Sequence, residues 1–162
     1  MFDQEVLDMA RQTLERCRER RLMIVTAESC TGGLVAGALT AIAGSSDVVD
    51  RGFVTYSYAA KTALLGVPEA MIEEHGAVSE PVARAMAEGA LLSPNHVSLA
   101  ITGVAGPGSD SQAKPAGLVH MAAARDSGLT HRVHQFGDIG RTEVRRRSVV
   151  EALKLALDAT QD

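Results

Sequence analysis

The chain has 162 residues, 46% hydrophobic and 22% charged, with a formal net charge of −4. That length suits one domain with a full core, spanning 1–162, and the acidic balance, 3% aromatics and no Trp argue against a nucleic-acid surface. No apolar run nears the roughly 20 residues of a membrane span, Met1-Phe2-Asp3-Gln4-Glu5 lacks the features of a signal peptide, and Cys17 and Cys30 offer neither a disulfide framework nor metal-ligand spacing, so the expectation is a soluble cytoplasmic protein with no metal and no cofactor.

Val6, Met9, Ala10, Thr13, Leu14 and Cys17 recur at helical spacing and predict an amphipathic helix over 3–20. Arg11, Arg16, Arg18, Arg20 and Arg21 make its solvated face, with acidic residues interleaved. Leu22-Met23-Ile24-Val25 reads as a buried strand over 22–27. Ala27-Glu28-Ser29-Cys30-Thr31-Gly32-Gly33 then turns the chain into a helix over 32–42, which ends at Ala43-Gly44-Ser45-Ser46. Residues 52–57 have strand character. Helices follow over 59–65, closed by Gly66 and Pro68, over 69–75, and from Ser79-Glu80-Pro81 to about Leu92. Val97-Ser98-Leu99-Ala100-Ile101 is a second central strand, ending in the glycine-rich loop Thr102-Gly103-Val104-Ala105-Gly106-Pro107-Gly108. Residues 118–124 and 130–136 form a hairpin around Ser127-Gly128, and a last helix starts at about Arg141. Strands alternating with helices and then a hairpin define an α/β protein: a single three-layer α/β/α domain with a mixed, mostly parallel sheet.

The turn 28–33 leaves two readings open. Ser29 or Thr31 can cap the helix. Alternatively, the unpaired amides and the dipole of a helix start can hold a phosphate or an oxyanion beside a nucleophile. In open α/β sheets the ligand crevice lies beyond the carboxyl ends of the strands. Loops 28–33 and 102–108 both follow central strands, so parallel neighbouring strands would bring them into one crevice.

A serine nucleophile needs a base. None of the five histidines has a context that ties it to residues 28–33. Lys61 is the alternative: it lies in the apolar helix Ala59–Leu65, and a buried lysine can act as the base of a serine–lysine pair. A snorkelling surface lysine is the competing reading. Tyr56 can position or relay the proton. Cys30 is the rival nucleophile, its thiol being near a helix start. Lys114, in a polar loop, can reach a phosphate. Arg141 and Arg145, four apart on the last helix, share a face that can meet substrate anions.

Several segments carry a family resemblance: Thr26–Gly33, Ile42-Ala43-Gly44-Ser45-Ser46, Arg51–Ser57, Ala60-Lys61, Leu65-Gly66-Val67, His75–Val82, Gly103–Pro107 and Lys114-Pro115-Ala116-Gly117. In this order, over nearly the whole chain, they resemble the CinA C-terminal domain family, whose characterised members are nicotinamide-nucleotide amidases. The resemblance implies hydrolysis of the carboxamide of nicotinamide mononucleotide to the acid and ammonia, in pyridine-nucleotide recycling. It implies Ser29 as nucleophile, Lys61 as base, and Tyr56 and an arginine at the start of the last helix beside them; the segment Gly137–Arg145 departs from the family pattern and leaves Arg141 and Arg145 as candidates, with Arg145 preferred. Cys30, Thr31, Gly32 and Gly33 (the amides of the last three facing the oxyanion), Thr102, Gly103, Ala105, Gly106, Lys114 and Arg141 are the expected substrate-binding positions. Tyr58 departs from the family pattern, which has Asn there. A homodimer with a small-molecule nucleotide substrate and no membrane or nucleic-acid partner is expected. The competing reading is a catalytically silent nucleotide- or partner-binding module linked to competence or DNA damage.

Overall fold

Asp3 starts the first helix, its carboxylate accepting the Val6 N–H at 3.0 Å. In the computed structural model, which describes residues 1–111 and 113–161, this helix α1 runs Gln4–Glu19. There follow β1 (Met23–Glu28), α2 (Leu34–Thr40), a short 3₁₀ turn (Ser45–Asp47), β2 (Val49–Val54), α3 (Tyr58–Leu65), α4 (Glu69–His75), α5 (Glu80–Ala90), β3 (His96–Gly103), β4 (Leu118–Arg125), β5 (Gly128–Gln135) and α6 (Arg141–Ala159).

The strands form one sheet in the order β2-β1-β3-β4-β5. Pairings β2–β1 and β1–β3 are parallel, and β3–β4 and β4–β5 antiparallel, so only β4 runs against the rest. The sheet is mixed and mostly parallel, as its sequence pattern implies. Side chains alternate across it. Ile24, Val97, Leu99, Ile101, Val119 and Met121 pack into one cluster with α1, α2 and α6. Val25, Ala27, Ala100, Ala122 and Ala124 pack into the other with α5 and the ends of α3 and α4. The second face is alanine-rich, so α5 sits close. At Gly89 of α5, an added Cβ would lie 1.8 Å from the Leu65 carbonyl oxygen.

Several boundaries shift by one to three residues from the sequence reading, and two of the shifts have a clear cause. The second strand is Val49–Val54 rather than 52–57, because Ser57 leaves the sheet to cap α3, accepting the Ala60 N–H at 3.0 Å. Helix α2 starts at Leu34 rather than 32, because Gly32 (φ 56°) and Gly33 (φ 97°) are left-handed and cannot continue a right-handed helix. Among the described residues, no helix is long and apolar enough to cross a membrane.

Candidate active site

Parallel pairing of β1 with β3 places Glu28 opposite Ile101, and the Ser29 N–H extends the ladder by donating to the Ile101 carbonyl at 2.9 Å. The turn after β1 and the glycine loop after β3 therefore emerge side by side at the carboxyl ends of the sheet, the position a ligand crevice takes in such folds.

Glu28 organises the turn. It is fully buried, and its carboxylate accepts the N–H groups of Gly33 and Val35 at 3.1 Å each and of Ala36 at 2.9 Å. An acid on the preceding strand thus fills the N-terminus of α2, where unpaired amides and the helix dipole favour negative charge. This corrects the capping role considered for Ser29 and Thr31: the hydroxyl of Thr31 is buried without a hydrogen-bond partner, and the Ser29 hydroxyl points elsewhere. The Gly32 N–H donates to the Ser29 carbonyl at 3.0 Å. With Gly32 and Gly33 both engaged inside the turn, their amides do not face an incoming ligand.

Lys61 approaches from the other side. Its side-chain Nζ donates to the Thr55 carbonyl at 2.7 Å and lies 3.0 Å from Ser29 Oγ. At 1% exposure it does not snorkel. Among the described residues it forms no ion pair, and burial pulls its ammonium from 10.5 down to about 8, against a smaller opposing effect of the Cys30 sulfur. Neutral Lys61 can keep its donor on Thr55 and turn its lone pair to the Ser29 hydroxyl. Cys30 differs: burial, with the Glu28 carboxylate second, pushes its thiol up to about 12, which disfavours the thiolate a nucleophile needs.

Ser29 and Lys61 open onto a cavity of about 340 Å³, lined also by Cys30, Tyr56, Tyr58, Ala77, Val78, residues 102–110 and Arg141. The glycine loop therefore forms one wall, with Thr102, Gly103, Ala105 and Gly106 all at the surface of the cavity. Thr102 Oγ1 is committed to the Ala77 carbonyl at 2.8 Å, which ties this wall to the segment before α5. Gly103 admits no side chain, since a Cβ would meet Val119 Cγ2 at 2.7 Å and the Leu118 carbonyl at 2.9 Å.

The two arginines separate. Arg141 donates to the Gly106 carbonyl at 2.7 Å and to the Tyr56 hydroxyl at 2.8 Å, bridging two rims of the cavity. Arg145 lies behind the turn, donating to the carbonyls of Cys30 at 3.1 Å and Thr31 at 3.4 Å. Thus Arg141, not Arg145, lines the cavity. Thr31, Gly32 and Gly33 lie beneath the lining, and Lys114 is outside it, its ammonium on the His75 carbonyl at the end of α4. No histidine is part of the lining; His120 and His131 instead pair with each other at 3.0 Å on the hairpin. Sequence reasoning passed over Glu28, the Thr55 carbonyl and Asp110. Only Glu28 carries a signal in the sequence, as an acid at a strand end just before a helix start.

The fold and this geometry define a class first: a three-layer α/β/α domain with a buried serine–lysine contact at the carboxyl ends of parallel strands. The model of the CinA C-terminal domain matches residues 6–160, and the chain belongs to that family. It is 45% identical over 157 residues to a nicotinamide-nucleotide amidohydrolase, PncC, of Escherichia coli K12, covering 95% of this chain and 94% of that one. It is 48% identical to a CinA-like protein of a Synechococcus strain over 149 residues. It spans about a third of the length of such CinA-like relatives, 34 to 36% in two of them. Among solved structures, a competence/damage-inducible protein of Agrobacterium tumefaciens is 48% identical with a TM-score of 0.95, covering 100% of this chain and 99% of that one. A CinA-superfamily protein of Escherichia coli has a TM-score of 0.91 at 34% identity, covering 98% and 93%.

Proposed function

We propose that this chain hydrolyses the carboxamide of nicotinamide mononucleotide to nicotinic acid mononucleotide and ammonia by acyl transfer through Ser29. The observation that carries the reading is the 3.0 Å contact between Ser29 Oγ and a buried lysine with no carboxylate partner among the described residues. The name and near-complete coverage of the Escherichia coli relative support the substrate.

Neutral Lys61 takes the Ser29 proton as Oγ bonds to the carboxamide carbon. The oxyanion meets an amide at the turn; with Gly32 and Gly33 engaged and Thr31 beneath the lining, that of Cys30 is the donor. Lys61 then returns the proton to the departing nitrogen, the C–N bond breaks, and ammonia leaves. Water attacks the ester, giving a proton to Lys61 that passes back to Ser29 Oγ as the acyl–oxygen bond breaks. Arg141, poised by Tyr56 and Gly106, holds the 5′-phosphate, and the wall 102–106 shapes the ribose pocket. Arg145 positions the turn by holding the carbonyls behind Ser29. The same reading takes the protein to be a cytoplasmic homodimer in pyridine-nucleotide recycling.

Ammonia release from nicotinamide mononucleotide, compared with nicotinamide and its riboside, is the test. The wild type turns over the nucleotide best, Ser29→Ala loses at least a thousandfold, and Cys30→Ala keeps most of the rate. Retained turnover in Ser29→Ala sinks the serine assignment. Binding of the nucleotide without ammonia release identifies the silent nucleotide-binding module instead.

A further inference from the structure

Both tyrosines of the chain stand at the mouth of the cavity, in a sequence with only three Phe and no Trp besides. Each is 59% exposed, so neither ring serves chiefly as core. Their hydroxyls differ. That of Tyr56 accepts from Arg141, whereas that of Tyr58 has no hydrogen-bond partner among the described residues. Tyr58 is the first residue of α3, and Lys61 follows three positions on, so the two side chains share one helix face. Lys61 reaches inward to Ser29 while the Tyr58 ring remains at the rim. Carboxylates lie on one side of it: Glu69 and Glu73 of α4 line the adjoining hollow that Tyr58 also lines, and Asp110 is part of the lining of the cavity itself.

We infer that Tyr58 is a specificity-determining residue whose ring face receives a positively charged aromatic ring, so that the site selects N-substituted pyridinium carboxamides over neutral aromatic amides. An aromatic face attracts a cation through its quadrupole, and neighbouring carboxylates strengthen that preference. Arg141, the cation on the Tyr56 side, is placed for the anionic end of the same ligand, which makes the mouth complementary to a zwitterion. The inference rests on the amidase reading, because the charged ring is that of the proposed nucleotide.

The test measures KM and kcat for ammonia release from two substrates in wild type, Tyr58→Leu and Tyr58→Phe. One substrate is nicotinamide mononucleotide, with its cationic ring; the other is benzamide riboside 5′-phosphate, a neutral ring bearing the same carboxamide, ribose and phosphate. Tyr58→Leu raises KM for the cationic substrate roughly tenfold with kcat little changed. For the neutral one KM moves less than about twofold, and Tyr58→Phe restores the difference. Equal shifts for both substrates, or no shift for either, overturn the role of Tyr58 while leaving the amidase reading standing. Absence of ammonia release by the wild type from either substrate overturns both together.

Discussion

Raising the pH across the Lys61 ammonium tests the site without any substrate. Burial lowers this group from 10.5 to about 8, so the folded chain gives up the proton more readily than the unfolded chain. Below pH 8 both states hold the proton, and the folded chain bears the whole cost of a buried ammonium. Between about 8 and 10.5 the unfolded chain binds a proton that the folded one has released, and stability gained through this group rises with pH. The span of about 2.5 pH units, at 1.36 kcal/mol each, corresponds to about 3 kcal/mol. Lys61→Met keeps the apolar stem and removes the charge. The unfolding free energy of wild type relative to Lys61→Met, from urea titrations at fixed pH, therefore increases by about 3 kcal/mol from pH 7 to pH 10.5. Hydrogen bonds lost to Ser29 and Thr55 shift the whole curve and leave its slope alone. A difference that stays flat, or that falls with pH as for a lysine held by a carboxylate, refutes the reasoning. The same group sets the pH dependence of turnover: kcat/KM climbs close to tenfold per pH unit below about 8 and levels above it.

Glu28→Gln turns one acceptor oxygen into a donor against the amides of Gly33, Val35 or Ala36 and costs about 3 kcal/mol; a urea midpoint equal to wild type contradicts this. Gly89→Ala gains about 1 kcal/mol of helix propensity but forces a methyl group against the Leu65 carbonyl, for a net loss of about 2 kcal/mol, read by calorimetry and refuted by a higher melting temperature. Arg141→Ala raises KM for the phosphorylated substrate about tenfold or more with little change in stability, because its side chain lies at the exposed rim. Arg145→Ala chiefly lowers kcat and stability, since the carbonyls of Cys30 and Thr31 lose their donor; a KM effect in place of a kcat effect reverses the roles of the two arginines.

Periodicity was enough to find most strands and the layers, because side-chain alternation follows from burial; the meeting of loops 28–33 and 102–108 depended on β1 and β3 being parallel neighbours, which their pairing supplies. Periodicity was also enough to single out Lys61, a cation in an apolar helix. Contacts decided by side-chain reach were not accessible this way. Arg141 and Arg145 share a face by spacing, yet one reaches the cavity rim and the other the back of the turn. The start of α2 was misplaced because the glycines that permit tight packing also take left-handed conformations, which delay the helix. The cap escaped notice because capping patterns concern residues beside the helix start, whereas Glu28 reaches it from the end of a strand, five to eight residues upstream.

That unusual cap bears directly on the chemistry. A lysine can serve as a base near neutral pH only if no carboxylate holds its proton in place. Glu28 is the residue next to the nucleophile, and a carboxylate free to turn toward Lys61 would stabilise the ammonium and end its use as a base. Three backbone N–H groups hold that carboxylate on the far side of the turn, where the N-terminus of α2 neutralises it. One acid thus builds the turn that presents Ser29 and, held by the helix amides, leaves Lys61 without a counter-ion among the described residues. Serine and lysine then meet beside a cavity whose lining holds no histidine, and the desolvated amine itself supplies the basicity.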